Sequence, residues 1–547
     1  MAGRLSHTDR VRKLGSIVVV GALCLIFLAA GCAFIPRLGI QNDEVFFASG
    51  LYEPLAYRHG IRVFHTKVPL MLLNYLGATK TWFYAGWFKL WPPSPASLRV
   101  PMLLAGAVSV WMFYRLLRRI AGNRAALAGA ALLAADPVYL LVTLWGPIVS
   151  HHLLLLSVML CFLRFHHTRS SRWLAAACFC AGLGLWDKAL FAWLFAALAL
   201  GALAAAPRAV SSALSGRNLR IAAIWFILGA LPLLWFNFKS RGETVRGNAA
   251  LSLAELPAKA GVLRYSLDGS LLFGWVVTDQ APPTPRGPSG VVEEASLGLA
   301  DAAGLREQGF MLWGCGLAVL LLPWLWRTPA RAPVLFGLVS FAAGWFQMAI
   351  TQGAGMAAHH TLLLWPLPQL VVAVALAEAS RRIARAGPVV LLAAVALLAG
   401  SNLLVLNQYL ADAVRKGPGL DFTDAVHPLA RLLLKEPAGQ VFAADWGMLD
   451  SLRFLSQGKL RLRVASDLTG KPSLTGEERK KLREWIAGPG DIFVGHTEGR
   501  EFNRGSTARL RQFASENGYA SETLAVVPDS YGRSTYEVFR FRHAETR

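Results

Sequence analysis

Apolar runs of about 20 residues recur through residues 16–406 of this chain, each long enough to cross a hydrocarbon core ~30 Å thick. No water is available there, so backbone N–H and C=O groups must pair within the segment, which makes each run a helix. Short arginine-rich segments separate the runs, and they fall on every second gap. They are Arg118, Arg119 and Arg124; Arg164, Arg169 and Arg172; Arg208, Arg217 and Arg220; Arg327 and Arg331; and Arg381, Arg382 and Arg385. With Arg4, Arg10, Arg12 and Lys13 placed inside, all these clusters lie on the inner face, as the positive-inside rule requires. Spans are predicted near residues 16–34, 99–117, 126–144, 151–165, 173–185, 189–205, 221–238, 310–326, 334–350, 362–379 and 388–406, about eleven in all. The N-terminus is then cytoplasmic, and residues 37–98 and 239–308 form long outside loops.

Only 16% of residues are charged, against roughly 25% in soluble chains. The net charge of +22 does not indicate nucleic acid, because the cations sit in short inter-helix segments rather than on one basic face. The bilayer is the partner they address. Small residues before Cys32 resemble a cleavage or lipidation site, but the first run is long for a signal peptide, and a retained helix is expected. All six cysteines lie in or beside apolar runs, with no disulfide or metal spacing.

After residue 406 the pattern changes. Residues 441–444, 460–464, 491–494 and 536–541 read as strands, and 425–434, 475–486 and 506–516 as helices. The chain thus divides into a membrane domain, 1–406, and an α/β domain, 407–547, on the outer side. The second domain is equally consistent with an acceptor-binding cap and a structural lid.

The chemistry concentrates on the outer rim. Asp43 and Glu44 sit side by side where the first span surfaces, ahead of an amphipathic stretch at 45–57. A helix-capping turn is the plain alternative. The same loop carries Arg58, His59, Lys67 and Lys80 among interfacial aromatics, a mixture suited to an anionic headgroup bearing a polar moiety. His359 and His360 open a late helix. Their side chains point about 100° apart, so one metal is not easily shared between them; phosphate contact or simple interfacial polarity are the readings left. Asp187 and Lys188 form either a self-neutralising pair at a turn or part of an outer site. A divalent metal held by Glu44 is an open option that no spacing compels.

Taken with the segment Tyr75 to Tyr84, the run Ser97 to Pro101 and His359 to Pro366, the Asp43–Glu44 pair resembles the polyprenyl-phosphate-dependent glycosyltransferases of the GT-C fold. The nearest group is glycosyltransferase family 39, relatives of the protein O-mannosyltransferases and of the lipid A aminoarabinose transferase. The resemblance implies a GT-C-like polytopic α-helical membrane protein with a C-terminal soluble α/β domain. It implies a polyprenyl-phosphate sugar donor, a glycan, lipid or protein acceptor, and a bacterial inner membrane with the α/β domain in the periplasm. It gives Asp43 the role of base, and Glu44 that of positioning substrate or assisting a metal. Substrate contacts fall to Arg58, His59, Lys67, Lys80, Asp187, His359 and His360. The chain departs from the pattern at residues 145–150, where the second outside loop holds no acid.

One carboxylate can suffice. A glycosidase must protonate a poor leaving group and needs two, whereas a phosphate leaves as an anion and needs positive charge. The competing function is a transporter or flippase of lipid-linked sugars, but that favours charges at helix midplanes and matched broken halves.

Overall fold

The computed structural model describes residues 7–53, 57–436 and 439–544. Arg4 lies outside the described residues, as do the side chains of Arg10, Arg12 and Lys13, so they do not bear on the orientation. Among the described residues six helices are long and apolar enough to cross a membrane: Leu14–Phe34, Pro95–Ile120, Val149–Thr168, Gly216–Lys239, Arg331–Ile350 and Ala384–Arg415. Three bent pairs raise the number to nine. The expected eleven is reached only by adding Ser171–Asp187 and Met311–Leu320, which are shorter.

Two of the bends matter for the site. Asn123–Ala134 and Pro137–Trp145 meet at 60°, and Ala358–Leu364 and Leu367–Arg381 at 42°. Proline lacks the N–H that would continue the ladder. At the first break the Asp136 carboxylate caps the Tyr139 N–H at 2.8 Å. The same carboxylate accepts from Trp365 Nε1 and Gln369 Nε2, each at 2.8 Å, so one buried acid ties the two broken spans together. Elsewhere helices pack through small residues. A methyl group on Gly182 would lie 2.2 Å from the Phe226 carbonyl oxygen, and one on Gly229 2.3 Å from that of Phe179.

On the side that carries the α/β domain the first loop is a compact layer rather than one amphipathic stretch. A short rim helix, Asn42–Ser49, is followed by an antiparallel hairpin, β1 (His59–Val63) with β2 (Thr66–Met71), and by the helix Thr79–Trp87. The 239–308 segment is structured on either side of its proline-rich stretch 281–288, which has no helix or strand. It carries the helices Glu243–Asn248, Leu256–Asp268 and Val291–Ala303, and Arg37 clamps it through a buried ion pair with Glu293. That hydrogen bond from Arg37 holds the Glu293 carboxyl down at about 2.

The last long helix continues past residue 406 to Arg415 and leads into a five-stranded sheet. Its strands are β3 (Val441–Ala443), β4 (Leu462–Val464), β5 (Ile492–His496), β6 (Tyr519–Pro528) and β7 (Ser534–His543), in the order β4-β3-β5-β7-β6. β3 pairs in parallel with β4 and β5, while β7 runs antiparallel to β5 and β6. This α/β domain sits directly on the rim helix. The Asp450 N–H donates to Asn42 Oδ1 at 2.9 Å, Ser451 Oγ to the Ile40 carbonyl at 3.1 Å, and the Gly39 N–H to the Phe422 carbonyl at 2.7 Å.

Candidate active site

The two neighbouring acids of the first loop have opposite surroundings. Gln41 caps the rim helix through a reciprocal pair with Glu44, which fixes the first turn. Glu44 is buried, and Arg99 takes both its oxygens, Nε to Oε1 at 2.6 Å and Nη2 to Oε2 at 2.8 Å. The same guanidinium donates to the Leu38 and Gly39 carbonyls. With its lone pairs committed in this way, Glu44 holds the rim helix against the span Pro95–Ile120. The reading of Glu44 as substrate contact or metal ligand gives way to that positioning role. Asp43, one residue earlier, is exposed although protein crowds around its carboxyl. That desolvation raises its pKa, and Asp450 adds to the effect while Lys188 opposes it.

The neighbours of Asp43 come from helix ends that the outer face gathers. Residues 75–77 run along residues 187–189, with Gly77 N–H to the Asp187 carbonyl at 3.0 Å and Ala189 N–H to the Tyr75 carbonyl at 2.8 Å. A side chain at Gly77 would lie 2.1 Å from the Trp186 carbonyl oxygen, so only glycine allows the two segments to approach. This puts Asp187 at a hub. It accepts from Thr79 Oγ1 and, at 2.6 Å, from Ser150 Oγ, and His151 Nδ1 lies 3.3 Å away without hydrogen-bond alignment.

Two lysines complete the hub. Lys80 is buried, donates to the Gly146 carbonyl at 2.7 Å, and lies 3.3 Å from the centre of the Phe47 ring. Burial lowers its pKa, and Asp187 partly restores it. Lys188, also buried, is lowered to about 8 by desolvation, against the pull of Asp187 and Asp43. Lys188 is the electrostatic centre of the site, because its charge is felt by Asp43, Asp187, His151, His359 and His360. His359 packs edge-on against Trp145 at 5.3 Å, and its Nδ1 has no hydrogen-bond partner. His360 Nδ1 accepts the Gly355 N–H at 3.2 Å.

Asp43, Lys80, Asp187, His359 and His360 are therefore brought together. Arg58, His59 and Lys67 are not. Arg58 pairs with Glu243 on the surface at 2.9 Å, His59 packs against Phe236 at 5.9 Å, and Lys67 is exposed on the hairpin. Sequence reasoning left Lys188 between a self-neutralising pair with Asp187 and an outer site, and named only Asp187 as a substrate contact. It missed Asp421, between the last span and the sheet, for which no local motif exists. Asp421 is partly exposed, and its carboxyl is pushed up to about 6 by burial and then by Asp43, against hydrogen bonds from Gln41 and Trp275.

A divalent ion held by protein ligands does not fit these residues. Glu44 has no free oxygen, and among the described residues no three His, Cys, Asp or Glu side chains converge. The arrangement instead offers an exposed carboxylate within electrostatic reach of buried Lys188, with buried Lys80 at the same Asp187 hub. An acid that can take a proton stands next to cations that can receive an anion.

A multi-helix membrane domain with its polar cluster at the outer rim, capped by an α/β domain, is the GT-C architecture of membrane glycosyltransferases. The fold is shared with ArnT from Cupriavidus metallidurans bound to undecaprenyl phosphate, at 14% identity and a TM-score of 0.55, over 96% of this chain and 98% of that one. It is shared also with the Archaeoglobus fulgidus oligosaccharyltransferase in complex with Zn and sulfate, at 12% identity and a TM-score of 0.51, over 96% and 73%. The same archaeal enzyme with an inhibitory peptide and a dolichol-phosphate matches at a TM-score of 0.50 and 12% identity, over 97% and 74%. Residues 79–235, which hold Lys80, His151, Asp187 and Lys188, match the dolichyl-phosphate-mannose-protein mannosyltransferase family. No curated protein matches the chain by sequence.

Proposed function

We propose that this protein transfers a sugar from a polyprenyl-phosphate donor to a hydroxyl-bearing acceptor, with inversion, on the periplasmic face of a bacterial inner membrane. The N-terminus is then cytoplasmic and the α/β domain periplasmic. The observation that carries the reading is the exposed Asp43 carboxylate within electrostatic reach of buried Lys188, with buried Lys80 at the same hub. Two ammonium groups in a low-dielectric rim are a receptor for a lipid phosphate, and the match to ArnT with undecaprenyl phosphate supports that choice of ligand.

In the reaction the acceptor oxygen attacks the anomeric carbon and its proton passes to Asp43. The bond from that carbon to the phosphate oxygen breaks, and the electron pair leaves with the phosphate. Lys80 and Lys188 meet the charge that develops there, with His359 and His360 beside them. Asp43 is suited to the task because desolvation raises its pKa and so makes it a better base. Asp187 favours the charged form of both lysines.

The test is Asp43→Asn, expressed at wild-type level in cells lacking the gene, with mass spectrometry of envelope glycans and lipids. Wild type should restore a sugar that the deletion removes. The variant should transfer about 100-fold less or worse while still binding undecaprenyl phosphate. Near-normal transfer by the variant removes Asp43 as the base.

A further inference from the structure

The α/β domain holds a second polar device. His496, at the end of β5, and Asp445, just after β3, form a buried pair with His496 Nδ1 2.7 Å from Asp445 Oδ2. Asp445 also accepts the N–H groups of Phe502 and Asn503, at 2.9 and 3.0 Å, so the carboxylate is firmly held. A carboxylate at Nδ1 keeps the proton there and leaves Nε2 of the neutral ring as an acceptor. That nitrogen is buried and has no hydrogen-bond partner. Buried polar atoms are nearly always paired, and an unpaired one calls for a reason. Phe502 and Tyr536 flank the ring, at 5.2 and 4.9 Å between centroids.

Asp421 lies within electrostatic reach of both Asp43 and His496. The groups around Asp43 therefore divide into two sets. Lys188 comes from the membrane helices, and Asp421 and Asp450 come from the C-terminal part of the chain. Trp275, partly exposed and within hydrogen-bonding reach of Asp421, stands edge-on to Phe422 at 5.0 Å and to Trp145 at 4.9 Å. A wide aromatic face beside a carboxylate and an unfilled nitrogen acceptor suits a sugar ring, which has apolar C–H faces and hydroxyl edges.

Displacement with inversion requires the acceptor to approach from the side opposite the departing phosphate. If the lysines receive the phosphate, the acceptor must come from the other set of groups. We infer that Asp421 and His496, with Trp275 beside them, form the acceptor subsite, and that the acceptor presents a carbohydrate whose hydroxyls donate to the Asp421 carboxylate and to His496 Nε2. This rests on the glycosyl transfer proposed above. It makes the α/β domain a working part of the site, with the contacts of Asp450 and Ser451 to the rim helix setting its register.

The test uses full-length protein in the deletion strain, with the fraction of modified acceptor read by mass spectrometry. Binding of undecaprenyl phosphate to each purified variant is measured alongside. An asparagine amide at 496 takes the place of Nδ1 and keeps a bond to Asp445. A glutamine amide reaches the place of Nε2. Asp421→Asn and His496→Asn are expected to lower modification about tenfold or more with undecaprenyl phosphate binding unchanged, and His496→Gln to retain more than His496→Asn. His496→Asn near wild type, or His496→Gln no better than His496→Asn, overturns the subsite, because a purely structural histidine needs only the Asp445 bond. Should the His496 variants fail to reach the membrane, Asp421→Asn decides alone: tenfold loss supports the subsite and near-normal modification overturns it. Label found on a protein hydroxyl instead of a glycan also overturns it. A wild-type chain that restores no sugar sinks the parent reading instead, so the two failures are distinct.

Discussion

Two buried acids, Asp136 among the broken spans and Asp187 at the rim beneath the α/β domain, differ in what surrounds them. Around Asp136 both carboxylate oxygens are engaged, although Gln369 Oε1 is left without a partner. Tyr139, Trp365 and Gln369 donate to its two oxygens, and the result is a latch between two bent helices. Around Asp187 the carboxylate itself is satisfied, but its surroundings are not. His151 lacks an aligned partner, His359 Nδ1 has none, and the Lys80 ammonium has three protons against the single Gly146 carbonyl acceptor. Surplus donors that are costly to bury are retained where a ligand completes them. The first centre is a latch between helices, and the second is where the proposed transfer would place an incoming anion.

The comparison breaks most decisively at the latch. Asp136→Ala strands an indole and an amide donor in the membrane interior and should cost about 3 kcal/mol or more, seen as early melting in detergent with transfer per folded molecule nearly unchanged. If melting is unaffected and transfer is lost, Asp136 belongs to the chemistry and the division fails. Next in size is Lys188→Met, which keeps bulk and removes charge. Transfer and affinity for undecaprenyl phosphate should both fall by about tenfold to a hundredfold, with melting held or raised because a buried charge has gone. Equal loss from Lys188→Arg would show that placement of the charge matters as well as its sign.

The acidity of the rim gives a smaller, sharper test. Burial pushes Asp421 up to about 6, and it raises Asp43 as well. Both are needed ionised, one as base and one as hydrogen-bond acceptor, so transfer should fall as pH drops through about 6. Lys188, Asp450 and His496 also face this pair, and Lys188→Met should move the acid limb to higher pH by removing the nearest cation from Asp43. An acid limb that does not move would place the titrating group elsewhere. The smallest expected effect is Lys67→Ala on the exposed hairpin, within about twofold of wild type in transfer. A large loss there would return the hairpin to the site.

Much of the membrane architecture was legible because bilayer thickness and positive-inside charge act on local stretches of chain. The strands at 441–443, 462–464, 492–496 and 534–543 were legible for a similar reason, since apolar residues with β propensity stand out locally. β6 was missed because it is an edge strand with an exposed, weakly alternating face. The rim hairpin was missed because charged and aromatic residues mask its pattern.

Sequence alone determined that this chain is a multi-span membrane protein with its carboxylate pair at a helix exit, because hydropathy and charge are properties of contiguous residues. Only the tertiary structure decided which acid of the pair is free. Arg99 lies 55 residues from Glu44, and no local pattern announces that it fills both Glu44 oxygens while leaving Asp43 open. The same holds for Lys188 and Asp421, whose meeting with Asp43 depends on helix ends and a domain contact brought together by packing. Long-range pairing is decided by what remains to be neutralised once the chain is compact, and spacing along the chain carries no record of it.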